Sequence, residues 1–266
     1  QDAYGQELNF SFDDFPLTES SASQKLDDFT DSSIQKYKEL RDIPSLSATS
    51  NLSSSFAIGL ISSKQAINHV LRRLPDEIGT GQFAWITEII WREFYKYITY
   101  HFPHISKGKS FNPKYDHISW RDDEASFVKW REGKTGVPII DAAMRQMNET
   151  KWMHNRLRMI TAMFLSKNLL IDWRKGERYF MENLIDGDFC SNNGGWQWSA
   201  STGVDAAPYF RIFNPITQSV KFDPDGKFIK EFVPELIDCP SNEIHNPSKE
   251  TRSSLNYPEM IVDLKS

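Results

Sequence analysis

The chain has 266 residues, of which 39% are hydrophobic and 25% charged, and it carries a net charge of −5 at pH 7. This composition is typical of a globular protein that buries one large core or two small ones. No apolar run approaches the ~20 residues that cross a bilayer, and the acidic first residues are unlike a signal peptide, so we expect an intracellular protein. Cys190 and Cys239 lack metal-ligand spacing, so neither a disulfide framework nor a zinc site is indicated.

The charge is unevenly distributed along the chain. Acids dominate residues 1–30 and 231–266, whereas residues 141–180 contain eight bases and four acids. A basic middle can hold a phosphate backbone, although charge alone is explained as well by a solvated surface.

The pattern divides the chain into three parts. Residues 1–33 lack clear periodicity and are interpreted as a linker or the edge of something upstream. Residues 34–240 are helical nearly throughout. Residues 241–266 are polar and aperiodic, which predicts a loosely packed tail.

Apolar residues recur at helical spacing in three segments, Phe83 to Phe102, Pro138 to Met147 and Trp152 to Ile171. Alternating strand runs and internal repeats are absent from the sequence, and residue pairs such as Phe102-Pro103 and Asn214-Pro215 indicate loops. The sequence therefore predicts an all-α domain.

Two segments offer groups for ligands. Thr49 to Ser53 precedes a helical stretch, where hydroxyls and free backbone N–H groups can bind phosphate, or where Ser and Thr simply cap the helix. On the Phe83 helix, Trp85, Glu88 and Arg92 share a face; the alternative to a binding role is an ordinary Glu88–Arg92 ion pair one turn apart.

Residues 186–198 are hard to explain by packing alone. They contain two carboxylates, three amides, the pair Gly194-Gly195 and two tryptophans. Buried acids and amides need partners, and adjacent glycines let a backbone come close to something. We interpret this stretch as a polar loop around a large flat cofactor. His154, by contrast, is read as a packed histidine rather than a catalyst.

With these residues the chain resembles the photolyase/cryptochrome family from about Tyr37 to about Leu236, and most of all its class I enzymes for cyclobutane pyrimidine dimers. The resemblance rests on motifs in the family's order: Thr49–Ser53, Glu88–Tyr95, Trp152–Met159, Asp186–Asp188 with Asn192–Trp198, and Asp205–Arg211. It implies the helical FAD-binding domain of this family, with reduced FAD as the active form.

The resemblance also implies roles for individual residues. Arg158 would pair with Asp186 beside the flavin ring, and the neutral amide of Asn192 would face flavin N5 and favour the reduced form. Trp196, Trp173 and Trp120 would relay an electron from the surface. The full set of implied cofactor residues is Tyr37, Thr49, Ser50, Asn51, Leu52, Ser53, Trp85, Glu88, Arg92, Asn155, Arg158, Asp186, Gly187, Asp188 and Asn192.

The implied substrate is DNA that contains a pyrimidine dimer, flipped out of the stack. Trp91 and Trp198 would stack on the flipped bases, with each base worth roughly 1–3 kcal/mol, and Glu88 would hydrogen-bond the pyrimidine edge. The implied catalytic residues are Glu88, Asn192, Trp91, Trp198 and Met159, and the implied DNA contacts are Arg41, Glu88, Trp91, Arg92, Tyr95, Asn155, Arg156, Trp198 and Gln218.

The implied reaction is splitting of the dimer by an electron from light-excited reduced FAD, which then regains the electron. A second antenna chromophore would lie mainly on the missing N-terminal domain. The resemblance implies a monomer without a membrane partner, in the cytoplasm with the nucleoid if bacterial and in the nucleus if eukaryotic.

The rival interpretation is a cryptochrome, a photoreceptor without repair activity. Plant cryptochromes carry Asp and insect ones Cys at the position of Asn192. Photolyases for the 6-4 photoproduct carry histidines at the positions of Asn155 and Met159, and DASH-type cryptochromes tend to replace the Trp91 and Trp198 pair with Tyr. Each position favours dimer repair.

Overall fold

The computed structural model describes residues 15–73, 78–208 and 211–264, and these ranges are all-α, with one isolated bridge, between Arg121 and Ile171, and no strand. The helices are α1 Glu19–Ser32, α2 Tyr37–Leu40, α3 Ser53–Ile58, α4 Ser63–Arg72, α5 Thr80–His101, α6 Glu124–Arg131, α7 Pro138–Thr150, α8 Asn155–Met163, α9 Trp173–Asn183, α10 Phe189–Ala200, α11 Pro215–Phe222, α12 Lys227–Phe232 and α13 Lys249–Ser254. Four 3₁₀ turns and a π-helical turn, Phe164–Asn168, connect them. No helix within these ranges combines the length and the apolar character needed to cross a membrane.

The helix ends follow from local sequence chemistry. Ser62 and Gln65 form a capping box at the start of α4, and Pro138 and Pro215 occupy the first turns of α7 and α11, where their missing N–H is harmless. The three predicted helical segments are confirmed by α5, α7 and α8, and α8 continues into the π-helical turn.

Two apolar clusters form the core. The first is built mainly from α7, α8, α9, α10 and α12. The second contains residues of α1, α2 and α4, together with Trp85 and Ile89 of α5. Because α5 also packs against α10, it lies between the two clusters. We call the boundary between the clusters the seam; Glu88 and Arg92 of α5 lie along it.

Both ends of the chain differ from the prediction. Residues 1–33 are predicted to be a linker or the edge of a missing N-terminal α/β antenna domain. Residues 19–32 form the helix α1, which buries Leu26 and Phe29 in the second cluster, so this part is not a linker. Residues 1–14 of that segment lie outside the described residues. The tail is not loosely packed: Arg252 is 3% exposed, and the Tyr257 hydroxyl donates a 2.5 Å hydrogen bond to Asp141. Ile244 and Tyr257 are buried in the first cluster, and Ile261 and Val262 pack against it. Because the only helix of the described tail is the six-residue α13, these apolar residues leave no helical period to detect.

The predicted polar loop at 186–198 is wrong beyond its first three residues, because Phe189–Ala200 is the helix α10. Asp188 caps it by accepting from the Ser191 N–H, and packing outweighs the low helix propensity of glycine. A Cβ at Gly194 would collide with the Tyr95 ring, whereas one at Gly195 would meet nothing within 4 Å. The close approach at Gly194 is therefore between α5 and α10, not to a cofactor.

Candidate functional site at the seam between the clusters

The structure brings most of the predicted site residues to the seam around α5. They come from α2 and the segment after it, from α5 itself, from the first turns of α8, and from α10 with the turn before it. These elements are far apart in sequence, so the sequence itself could not show that they meet.

Arg158 and Asp186 form the ion pair that the resemblance implies. The Arg158 guanidinium donates to both oxygens of Asp186, at 3.0 and 2.8 Å, and to the carbonyl of Met153 at 2.8 Å. The Asp186 side chain is 2% exposed. A buried carboxylate of this kind needs its cation, so the pair fixes the turn before α10 against the start of α8.

Arg92 joins two parts of the seam. Its guanidinium donates to the carbonyl of Phe56 in α3 at 2.8 Å and to Asp188, the N-cap of α10, at 3.3 Å. It also lies 3.2 Å from Glu93. It therefore ties the start of α10 to α3.

Glu88 does not pair with Arg92, so the alternative interpretation, an ordinary ion pair within the helix, is wrong. Its carboxylate accepts from Arg41 at 2.6 Å instead. A partner 47 residues away in sequence leaves no periodic signal. Glu88 keeps about a third of its side chain exposed, so it can still meet a ligand.

Asn192 is oriented by α9. Its amide nitrogen donates to the backbone carbonyl of Glu177 at 2.9 Å. A carbonyl can only accept, so the amide nitrogen points to Glu177, and the amide oxygen and the second N–H of Asn192 remain for other partners. The Glu177 carboxyl lies nearby, burial raises its pKa, and its Oε1 has no partner among the described residues.

Aromatic rings line the outer part of the seam. Trp91 is 39% exposed and meets Phe94 edge-on at 5.3 Å and Tyr95 at 6.2 Å. Tyr95 and Trp198 line one small cavity with Asn193 and Asp205. Burial raises the pKa of Tyr95 to about 12, with Asp205 and Glu88 adding to the shift, so its hydroxyl stays protonated.

Arg156 is held in place on three sides. Asp42 accepts two of its N–H groups, at 3.2 and 2.7 Å, and Met159 Sδ accepts from its Nη1 at 3.8 Å. The centre of the Phe222 ring lies 4.5 Å from its guanidinium carbon. Gln218 lies one turn before Phe222 on α11. The predicted DNA contacts Arg156 and Gln218 therefore share one face.

The three tryptophans of the implied relay lie on or beside α9 and α10. A Cβ at Gly176, three residues after Trp173 on α9, would collide with the Trp196 ring. The bridge between Arg121 and Ile171 sets Trp120 beside the start of α9. Trp173 and Trp196 are buried in the first cluster, and Trp120 packs on its edge. This neighbourhood is what spacing alone could not predict.

The segment Thr49 to Ser53 does not cap α3. The N-cap position is Leu52, and α3 has no side-chain cap. Thr49 donates to Asn51 Oδ1 at 2.9 Å instead, and Asn51 has a φ of 48°. The capping alternative is wrong, and the first N–H groups of α3 remain available to a ligand.

Some predicted residues do not face the site. Trp85 is 3% exposed and packs against Phe29 in the second cluster, so little of it is left for a cofactor to contact. His154 is buried as expected, and burial lowers its pKa to about 4, which makes it neutral. Tyr209 and Phe210 of the last family motif lie outside the described residues.

The sequence analysis missed Asp42, Glu177 and Phe222. Each acts through a residue that was found: Asp42 and Phe222 hold Arg156, and Glu177 holds Asn192. The only sequence signal was that Asp42 follows Arg41 directly. An acid next to a candidate DNA contact indicates that a neighbouring cation is neutralised.

Comparisons with known proteins identify the family of this all-α fold. A sequence model of the FAD-binding domain of DNA photolyase matches residues 85–266. The deoxyribodipyrimidine photo-lyase of Escherichia coli K12 is 51% identical over 256 residues, which cover 94% of this chain and 54% of that protein.

Two solved structures are similar in fold. An archaeal photolyase from Sulfolobus tokodaii with two FAD molecules matches with a TM-score of 0.80 and 38% identity, covering 94% of this chain and 54% of the other. A Synechocystis sp. PCC6803 cryptochrome matches with a TM-score of 0.86 and 31% identity, covering 98% and 57%. The chain thus spans about half the length of its relatives.

Proposed function

The chain belongs to the DNA photolyase family, and from this premise we propose that it repairs cyclobutane pyrimidine dimers in DNA with light absorbed by reduced FAD. The family match and the 51% identity to a deoxyribodipyrimidine photo-lyase support the proposal. The observation that carries it is the convergence of Asn192, the Arg158–Asp186 pair and the Trp91 surface at one seam.

The residues of the seam fit an FAD. Ser54 and Ser55, at the start of α3, have buried hydroxyls without partners among the described residues, which suits a pyrophosphate beside the uncapped α3. Open space beside Gly195 suits a flat ring. Reduced FAD, when bound, supplies the electron that opens the dimer.

The side chains of the seam would bind and orient the flavin. Asn192 would offer an amide oxygen to the N5–H of the flavin, since its nitrogen is turned towards the Glu177 carbonyl. Because the amide is neutral, it would add no second negative charge there. The Arg158–Asp186 pair sets the edge of the flavin site. Arg92 connects the pyrophosphate side to the flavin side through Phe56 and Asp188.

The DNA side lies across the outer seam. Trp91 offers an exposed ring for a flipped base, and stacking offsets part of the few kcal/mol that flipping costs. Glu88 accepts from Arg41 in the free protein, so a pyrimidine edge would compete with Arg41 for this carboxylate. Arg156 and Gln218 face the flanking strand.

Further parts of the proposal concern the whole protein. A second antenna chromophore would be held outside these 266 residues; the Sulfolobus tokodaii photolyase was solved with two FAD molecules. We expect a monomer that acts on DNA in the bacterial nucleoid or in the nucleus.

The proposed function is tested by an assay of dimer repair. The purified, chemically reduced protein is illuminated with oligothymidylate that contains dimers, and thymine absorbance is followed. We expect absorbance to return in the light and not in the dark. A colourless protein that takes up no added FAD would refute the proposal.

The same experiment addresses the cryptochrome alternative, which the similarity to the Synechocystis protein keeps open. A protein that binds FAD and responds to light yet returns no thymine absorbance would be a photoreceptor. Asn192, Trp91 and Trp198 favour repair.

A further inference from the structure

A carboxylate lies among the arginines assigned to DNA. Asp42 accepts from Arg156 through both oxygens and lies 3.9 Å from Arg41. A third of its side chain is exposed, compared with 18% for Arg156 and 21% for Arg41. An exposed acid on this face repels phosphates, so its presence there requires an explanation.

The arrangement restricts Arg156 in charge and in geometry. Its guanidinium is clamped between the bidentate Asp42 carboxylate and the Phe222 ring, so it presents one fixed edge. Arg41 is held in the same way between Glu88 and the Tyr37 ring, 5.2 Å from its guanidinium carbon. Each cation is thus oriented and largely neutralised by a carboxylate.

We propose that Asp42 sets the discrimination between damaged and undamaged DNA: it neutralises Arg41 and Arg156 towards ordinary duplex and holds Arg156 in the orientation that serves a flipped lesion. This inference rests on the proposed function. Asp42 is a positioning residue, because it acts through the two arginines.

Asp42 affects the two kinds of DNA differently because undamaged duplex is attracted to the protein at long range, whereas a flipped lesion is bound at short range. Binding of undamaged duplex is driven mainly by net charge and counterion release, which the Asp42 carboxylate reduces. A flipped dimer brings its flanking phosphates close to the seam, where an oriented guanidinium donates directly and geometry outweighs net charge.

The experiment compares Asp42→Asn, Asp42→Glu and a matched control, Glu132→Gln. Glu132 pairs with Lys134 at 2.9 Å between α6 and α7, so the control removes the same charge away from the seam. Binding of the FAD-loaded protein to a labelled oligonucleotide, with and without one thymine dimer, is measured in the dark at several salt concentrations.

For Asp42→Asn we expect undamaged DNA to bind roughly 3- to 10-fold more tightly, with a salt dependence steeper by about one phosphate contact. Lesion affinity should rise less or fall, so the preference for the lesion shrinks. Asp42→Glu and Glu132→Gln should keep the undamaged affinity and salt dependence of the wild type.

Two results would overturn the inference. One is an unchanged undamaged affinity and salt slope in Asp42→Asn; the other is an equal drop for both DNAs, which would mark a purely structural role. A wild type without any preference for the lesion would instead refute the proposed function, and the inference with it.

Discussion

Asn192 donates its amide N–H to the backbone carbonyl of Glu177, across 2.9 Å between α10 and α9. This single bond decides which end of the amide faces the flavin side of the seam. It also places a buried carboxyl with a raised pKa directly behind the amide. Two of the predictions below depend on this relationship.

Asn192→Asp should make the reduced flavin harder to obtain. The variant adds a negative charge at N5 and loses the donor to Glu177, so we expect the reduction potential to fall by on the order of 60 mV or more, a tenfold change for one electron. Spectroelectrochemical titration measures it. Asn183→Asp is the matched control, since Asn183 makes the same kind of bond to the Tyr179 carbonyl; an equal fall there would contradict the role.

Glu177→Gln should stabilise the protein at neutral pH. Burial raises the pKa of Glu177, so the folded state binds its proton more tightly than the unfolded state does, and stability falls as pH rises from the ordinary pKa of 4.5 through the folded one. The amide removes this titration. Thermal melts should show a higher melting temperature than the wild type at pH 7 and a smaller difference near pH 4.5; a difference independent of pH would contradict the assignment.

Trp91→Ala should weaken lesion binding more than binding to undamaged DNA. The exposed indole offers a stacking surface worth roughly 1–3 kcal/mol per base, which only a flipped base can use. Dark binding measurements with both DNAs test this. Tyr97→Ala is the control, because Tyr97 is 64% exposed on the same helix and contacts His101, with the two rings tilted and their centres 4.1 Å apart. Equal losses for both DNAs in Trp91→Ala would make Trp91 a scaffold residue.

The sequence predicted the fold class because apolar residues recur at helical spacing through α5, α7 and α8, and because Pro103 ends α5 and Pro138 begins α7. It did not predict α10, since Gly194 and Gly195 argue locally against a helix. The contact that outweighs them is the Tyr95 ring on Gly194, which joins residues 99 positions apart. Tertiary packing of this kind leaves no mark on local propensity.

In the site, too, the sequence identified residues that belong to motifs but not the partners that only tertiary packing brings to them. Glu88, Arg156 and Asn192 were identified because the motifs name them, whereas their partners Arg41, Asp42 and Glu177 depend on how α2 and α9 cross the seam. Only Arg41 was identified, and for another role. A spacing of 114 residues between Asp42 and Arg156 carries no periodicity that a sequence pattern can detect.

Trp120→Phe should impair photoreduction and spare repair by chemically reduced protein. Trp120 is the partly exposed member of the proposed electron path, whereas Trp173 and Trp196 are buried in the first cluster. Trp130→Phe is the control. Trp130 also contacts Trp196, with ring centres 6.0 Å apart, but it is fully buried and donates to the Thr161 carbonyl, so it offers no route to the surface. Flash absorption measures both; normal photoreduction in Trp120→Phe, or a loss only in Trp130→Phe, would reject the path.

Tyr257→Phe should destabilise the protein although its site residues are untouched. The Tyr257 hydroxyl is one of the donors to the fully buried Asp141, and removing it leaves that carboxylate short of a hydrogen bond. We expect a loss of about 1–3 kcal/mol, measured by urea unfolding. Tyr100→Phe, at a ring that is 80% exposed, should change nothing. An unaltered midpoint in Tyr257→Phe would mean that Thr135 and Gly136 alone satisfy Asp141 and that the C-terminal segment contributes little to the core.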